Sequence, residues 1–126
     1  MQQNMQNNFG VFRREDLMLK GIGELNDSRE EVENIYLQDK SATFNTARIE
    51  ALEMQNLFEV AEATAITANE RKESRGAHAR DDYPDRDDDG WLKHSIYFSK
   101  TKEVSKRDVN FRPNTVQAFQ PEVRTY

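Results

Sequence analysis

Apolar residues between Arg13 and Leu37 recur at helical spacing, and that stripe limits the chain to few architectures. Met18, Ile22, Leu25, Val32 and Tyr36 follow a 4-3-7-4 track, which is one face of an α-helix. Glu15 and Asp16 stand where the first turn of a helix favours negative charge. The pattern predicts a helix over about residues 14–37, roughly 35 Å long at the α-helical rise. Gly21 and Gly23 weaken it by about 1 kcal/mol each relative to Ala and open room for a neighbouring helix. A second apolar pattern, Ile49, Leu52, Leu57, Phe58, Val60 and Ile66, predicts a helix over about 46–73. Its second half, VAEATAITAN, is rich in the small residues that permit close packing. The short polar stretch QDKSATF joins the two, with Thr43 or Asn45 as the N-cap, so the pair reads as an antiparallel hairpin.

A third stripe precedes them. The first twelve residues are rich in Gln and Asn, yet Met1, Met5, Phe9 and Phe12 sit four, four and three apart. This stretch reads as the end of a helix that begins upstream, making the chain a fragment of something longer. The expected architecture is therefore mainly α. It is a three-helix antiparallel, spectrin-repeat-like bundle over residues 1–74, with helices at about 1–12, 14–37 and 46–73. Residues 75–126 follow as a loop, short strands and an extended tail packed on the bundle. Gly76 suits the left-handed residue that ends a helix. The stretch RGAHARDDYPDRDDDG has no period and reads as loop. WLKHSIYF and VSKRDVNF read as two strands of a small hairpin around a polar turn near Lys100–Lys102. From Arg112 to Tyr126 the chain reads as extended and irregular, with Pro113 and Pro121.

Charge and composition narrow the function. The chain is 126 residues long with 41 charged side chains (18 basic, 23 acidic) against 12 aromatic ones, so its core must be thin or it leans on a partner. A net charge of -5 argues against nucleic acid. No apolar run approaches the ~18–20 residues that cross a bilayer, and no basic-then-apolar leader opens the chain. Zero cysteines exclude disulfides, thiolate metal sites and Cys nucleophiles. Residues 1–79 carry 9 basic and 14 acidic side chains, whereas residues 100–126 carry 6 and 3, so the basic tail can lie back on the acidic body or on an acidic partner.

Three chemical constellations can be weighed on the residues alone. Asp85, Asp87, Asp89 and Gly90 copy the opening of a calcium loop, but Ile96 stands where the bidentate Glu must be, and Pro84 replaces the preceding helix. A solvated or salt-bridged loop accounts for the same residues. His78 and His94, sixteen apart, fall short of the three or four ligands zinc requires. A hydrolytic dyad from His78 with Asp81 or Asp82 lacks a G-x-S-x-G, P-loop or G-x-G-x-x-G context. What remains is the basic cluster Arg71, Lys72, Arg75, His78 and Arg80 beside the Asp run. Guanidinium forks suit bidentate carboxylate pairing, either across an interface or in an internal web pinning the loop to the helices.

The run from Glu73 to Tyr97 contains SRGAHARDDYP and PDRDDDGWL. Together with NFGVFRRED (8–16), FNTARIEALEMQNLFEVAEATA (44–65) and the closing RTY (124–126), it resembles the C-terminal segment of succinate dehydrogenase flavoprotein subunits. The shorter S-R-G-A-H-x-R-x-D-x-P pattern is shared with fumarate reductase flavoproteins and L-aspartate oxidases. The resemblance implies a non-catalytic C-terminal domain, with no catalytic, cofactor-binding or metal residue in this chain. The parent would oxidise succinate to fumarate with FAD and pass electrons through iron–sulfur clusters to quinone. The partners so implied are the parent's own FAD-binding and capping domains, an iron–sulfur subunit and, indirectly, membrane-anchor subunits. The complex would be peripheral to the cytoplasmic side of a bacterial inner membrane, or to the matrix side of a mitochondrial one. Arg75, His78, Arg80, Asp81 and Tyr83 are the residues expected to organise the interface loop. A chain parted from such neighbours is expected to expose apolar surface along Met1–Phe12 or the Ala/Thr half of the third helix, and to self-associate. A stand-alone helical interaction module is the competing reading.

Overall fold

A computed structural model describes residues 1–119 and residue 122. It is mainly helical with two small β-pairs. The elements run α1 (Gln2–Asn8), β1 (Phe12–Arg13), α2 (Glu15–Glu33), α3 (Thr46–Glu70), β2 (Ala79–Arg80), α4 (Asp88–Trp91), β3 (Lys93–Phe98) and β4 (Glu103–Asp108). The closing RTY and Pro121 lie outside the described residues.

The helices pack as their stripes dictate. Met18 and Leu25 of α2 meet Phe58, Ala65 and Ala68 of α3 and Phe9 after α1, forming one slender core. Met1, Met5, Ile22 and Val32 flank it, half-buried. Cross-helix ion pairs fall in antiparallel order, with Glu15 facing Lys72 and Arg29 facing Glu59 and Glu62. Asn45 caps α3 through its side chain, which accepts from the Arg48 N–H at 2.8 Å.

Several boundaries differ from the pattern's reading, each for a local reason. α1 stops at Asn8, and its stripe breaks there, because Phe12 is exposed and belongs to β1. β1 pairs in parallel with β2, Phe12 opposite Ala79 and Arg13 opposite Arg80, so the segment before α2 is stitched to the loop after α3. α2 ends at Glu33 and leaves Tyr36 exposed. α3 ends at Glu70, earlier than expected, because Arg71 turns to extended backbone. Gly76 does not cap that helix. At φ +60° it forms the first corner of a tight turn closed by Arg75 and His78, which exchange backbone hydrogen bonds of 2.8 and 3.1 Å. The expected loop therefore contains β2 and α4, and Trp91 belongs to α4 rather than to the strand. The hairpin does form, Lys93 opposite Asp108 through Phe98 opposite Glu103, with Lys102 in the left-handed region at the turn.

The apolar surface left open matches the expectation only in part. The Ala-rich half of α3 is core, with Ala61, Ala65 and Ala68 buried. The outward side of the helix is exposed instead, at Ile49, Leu52 and Leu57 in its first half and at Val60 where the second begins. Val11 and Phe12 are open as well.

The two α2 glycines behave oppositely. A Cβ on Gly21 would lie 2.4 Å from the Phe9 ring and 2.7 Å from the Asn8 Cβ, whereas one on Gly23 would meet nothing within 4 Å. Gly21→Ala is therefore expected to destabilise the chain by about 1–3 kcal/mol through overpacking. Gly23→Ala should stabilise it by about 0.5–1 kcal/mol. Urea unfolding followed by circular dichroism checks both signs, and equal effects would contradict the packing of α1 on α2.

Candidate functional site

The turn at Gly76 folds the basic cluster back onto the end of α3, where its charges meet carboxylates and helix termini. Arg80 is 1% exposed. Its Nη1 donates to the carbonyls of Ala68, Asn69 and Arg71 at 3.3, 3.0 and 3.3 Å, which are the orphan acceptors at the C-terminus of α3. A cation there also opposes the negative end of the helix dipole. Its Nε and Nη2 clasp both oxygens of Asp82 at 2.7 Å each. Asp82 in turn accepts the Glu15 N–H at 3.0 Å, at the start of α2, where Arg14 supplies no side-chain cap. The clasp of Arg80 and the α2 N–H hold the Asp82 carboxyl down to about 2.

Glu73 is fully buried. It accepts from Arg71 at 2.5 Å, from Arg75 at 2.9 Å on each oxygen, and from the Asp87 N–H at 3.0 Å. Four charge-assisted bonds outweigh the desolvation that would raise its pKa, and it lies below the usual carboxylate range. Arg71 continues to the carbonyls of Trp91 and Lys93 at 2.9 and 2.6 Å and lies over the Trp91 ring. Arg75 continues to Asp88 at 2.6 Å, and these acids hold its pKa above the ordinary arginine value. Asp87 caps α4 by accepting the Gly90 N–H at 2.9 Å.

His78 lies between a guanidinium and a backbone carbonyl. Its Nδ1 is 2.7 Å from Arg13 Nη1 and its Nε2 3.1 Å from the Arg71 carbonyl. A guanidinium only donates, so Nδ1 must accept and Nε2 must carry the proton. Burial, followed by repulsion from Arg13, Arg80 and Arg71, lowers its pKa below 6.5, opposed only by the bond to the Arg71 carbonyl.

Of the expected interface residues, the fold brings Arg75, His78 and Arg80 into one web and stacks Tyr83 on Arg80, ring centroid 5.0 Å from the guanidinium. Asp81 stays outside: its N–H bonds the Arg13 carbonyl, and its exposed carboxylate has no hydrogen-bond partner among the described residues. Sequence reasoning missed Glu73, Arg13 and Glu62, and weighed Asp82 only for a hydrolytic dyad. Glu62 is buried on the core face of α3, where it accepts from Arg29 at 2.7 Å, Tyr97 at 2.8 Å and Lys102, pinning the hairpin to the helices. The signal was an acid at the i+4 position of the apolar series Phe58, Ala61, Glu62, Ala65. Among the described residues, no group of three or more His, Asp or Glu is placed to hold a metal ion.

Comparison with known proteins supplies the context. The family described as fumarate reductase flavoprotein C-term matches residues 1–126. The chain belongs to that family. It is 48% identical over 124 residues to a succinate dehydrogenase flavoprotein subunit of Coxiella burnetii, covering 98% of this chain and 21% of that protein. It is 38% identical to a mitochondrial succinate dehydrogenase flavoprotein subunit of Oryza sativa over 130 residues, covering all of this chain and 21% of that one. A solved E. coli quinol fumarate reductase chain superposes with a TM-score of 0.79 at 32% identity over 94% of this chain and 21% of that one. The chain thus spans about a fifth of the length of the relatives it matches.

The His78 environment predicts a pH dependence. With its folded pKa below the ordinary 6.5, the unfolded chain takes up the proton first as pH falls. The stability tied to neutral His78 is fully present above about pH 6.5 and declines as pH drops through the folded pKa. The melting temperature should therefore rise between pH 5 and 7, and His78→Gln should flatten that rise. An unchanged slope in the variant would contradict the assignment.

Proposed function

We propose that this chain serves as the C-terminal supporting domain of a succinate dehydrogenase flavoprotein, which oxidises succinate to fumarate with FAD and passes electrons onward through an iron–sulfur subunit. The match over the entire chain to succinate dehydrogenase flavoprotein subunits carries this reading. Fumarate reductase relatives share the domain, so the reductive direction is the second form of the same reading. Flavin and dicarboxylate would be held by polypeptide outside these residues.

The domain's part is mechanical. The web gives the loop 75–92 one conformation, which can present a fixed surface to neighbouring polypeptide. In this reading α1 is the last part of a longer helix that completes a three-helix antiparallel bundle, and residues 75–126 form the loop and hairpin packed on it. The exposed face of Ile49, Leu52, Leu57 and Val60 meets the parent's other domains, or a second copy when those are missing. The loop of Arg75, His78, Arg80, Asp81 and Tyr83 organises the contact with the iron–sulfur subunit, and the anchor subunits are reached through it. No helix among the described residues is long and apolar enough to cross a membrane. In this reading the complex is peripheral, on the cytoplasmic or matrix side.

The test compares the full flavoprotein with the 126-residue chain. The full protein should carry flavin and reduce a dye with succinate, and the chain alone should do neither. Succinate oxidation by the chain alone would overturn the reading. Arg75→Glu in the full protein, which repels Glu73 and Asp88, should lower recovery of the iron–sulfur subunit at least severalfold. Normal flavin content with normal assembly would remove the loop from the interface.

A further inference from the structure

One cation in the web lacks an acid. Arg71 has Glu73, Arg75 has Glu73 and Asp88, Arg80 has Asp82 and Lys93 has Asp108. Arg13 pairs with no carboxylate among the described residues. It donates through Nε to Gly10 at 2.8 Å, through Nη2 to Phe9 at 3.1 Å and through Nη1 to His78. A guanidinium has five N–H groups, so each terminal nitrogen keeps one without a partner in these bonds. Burial and the nearby Arg80 charge lower its pKa, as expected of a cation whose charge is not neutralised.

Arg13 and His78 line an open groove with Arg71, Lys93, His94 and Ser95, and no carboxylate lines it. Arg13 brings an unneutralised charge to this groove, whereas Arg71 and Lys93 are each paired with an acid outside its lining. The groups facing His78 are Arg13 from β1, Arg71 from the end of α3 and Arg80 from β2, and all three repel its proton. Lys93 and His94 add basic groups from β3. A bound anion would offset that repulsion, so anion binding and protonation of His78 should reinforce each other.

We propose that this groove is a binding site for a small oxyanion of the carboxylate or phosphate class. The free N–H groups of Arg13 engage the anion, and the Lys93 ammonium, paired with the exposed Asp108, adds to the field. This inference concerns residues within the chain and stands whether or not the flavoprotein reading holds.

The test is a titration of the 126-residue chain with inorganic phosphate and, separately, with acetate, at constant ionic strength maintained with chloride. Histidine ring resonances are followed by NMR. The expected result is saturable movement of the His78 resonances, with its titration displaced to higher pH. The tighter of the two anions identifies the chemistry preferred. Arg13→Gln should weaken binding about tenfold or more, because the fork is lost. If that variant does not fold, as judged by Trp91 fluorescence, Lys93→Gln is used instead and should weaken binding about threefold or more through the lost charge. No movement beyond the chloride control, or equal binding in whichever folded variant is used, would overturn the site.

Discussion

The Arg80–Asp82 pair joins the two long helices at their ends. Arg80 satisfies carbonyls at the C-terminus of α3, and Asp82 satisfies an N–H at the start of α2. One bidentate ion pair therefore caps the negative end of one helix dipole and the positive end of another. Neither side chain can be removed without leaving orphaned helix groups as well as an unpaired charge. The β1–β2 ladder runs through the same residues, Arg13 opposite Arg80, and brings Arg13 to His78. The arginine web depends on this junction for its placement.

The apolar core is too slender to impose such order alone. Among the described residues, six buried side chains form its cluster, three of them provided by α3. Buried charge fills the remaining contacts: Glu73 beneath the loop and Glu62 beneath the hairpin, each gathering at least three donors from different parts of the chain. Such networks seldom add much net stability over a well-packed apolar equivalent. Here they tie the loop and the hairpin to the helices.

The helices and the hairpin were legible because their apolar periods are long and local. Met18 and Leu25 on α2 and the Asn45 cap of α3 follow from spacing and short-range chemistry. The family resemblance was legible from the run after Glu73. Tertiary pairing was not. Phe12 shares the spacing of Met5 and Phe9, yet the parallel ladder with Ala79 takes it out of the helix. Gly76 fits a helix end by residue type, but the exchange between Arg75 and His78 uses it as a corner. The small residues of the Ala/Thr half of α3 were expected to seat a missing neighbour, whereas Ala65 and Ala68 pack within the chain's own core beside Met18 and Leu25. Glu62 was hidden because only the fold brings Arg29 onto it from 33 residues away. Glu73 and Asp82 pair with arginines two residues away, through a chain conformation after α3 that spacing does not reveal.

The central claim is that the loop after α3 is locked to both helices by one cooperative ion pair, and a double-mutant cycle tests it most directly. Unfolding free energies of the parent chain, Arg80→Met, Asp82→Asn and the double variant give the coupling between the two positions. The account predicts a coupling of about 2 kcal/mol, near the upper part of the range for residues in direct contact. Additive effects, with a coupling below about 0.5 kcal/mol, would contradict it.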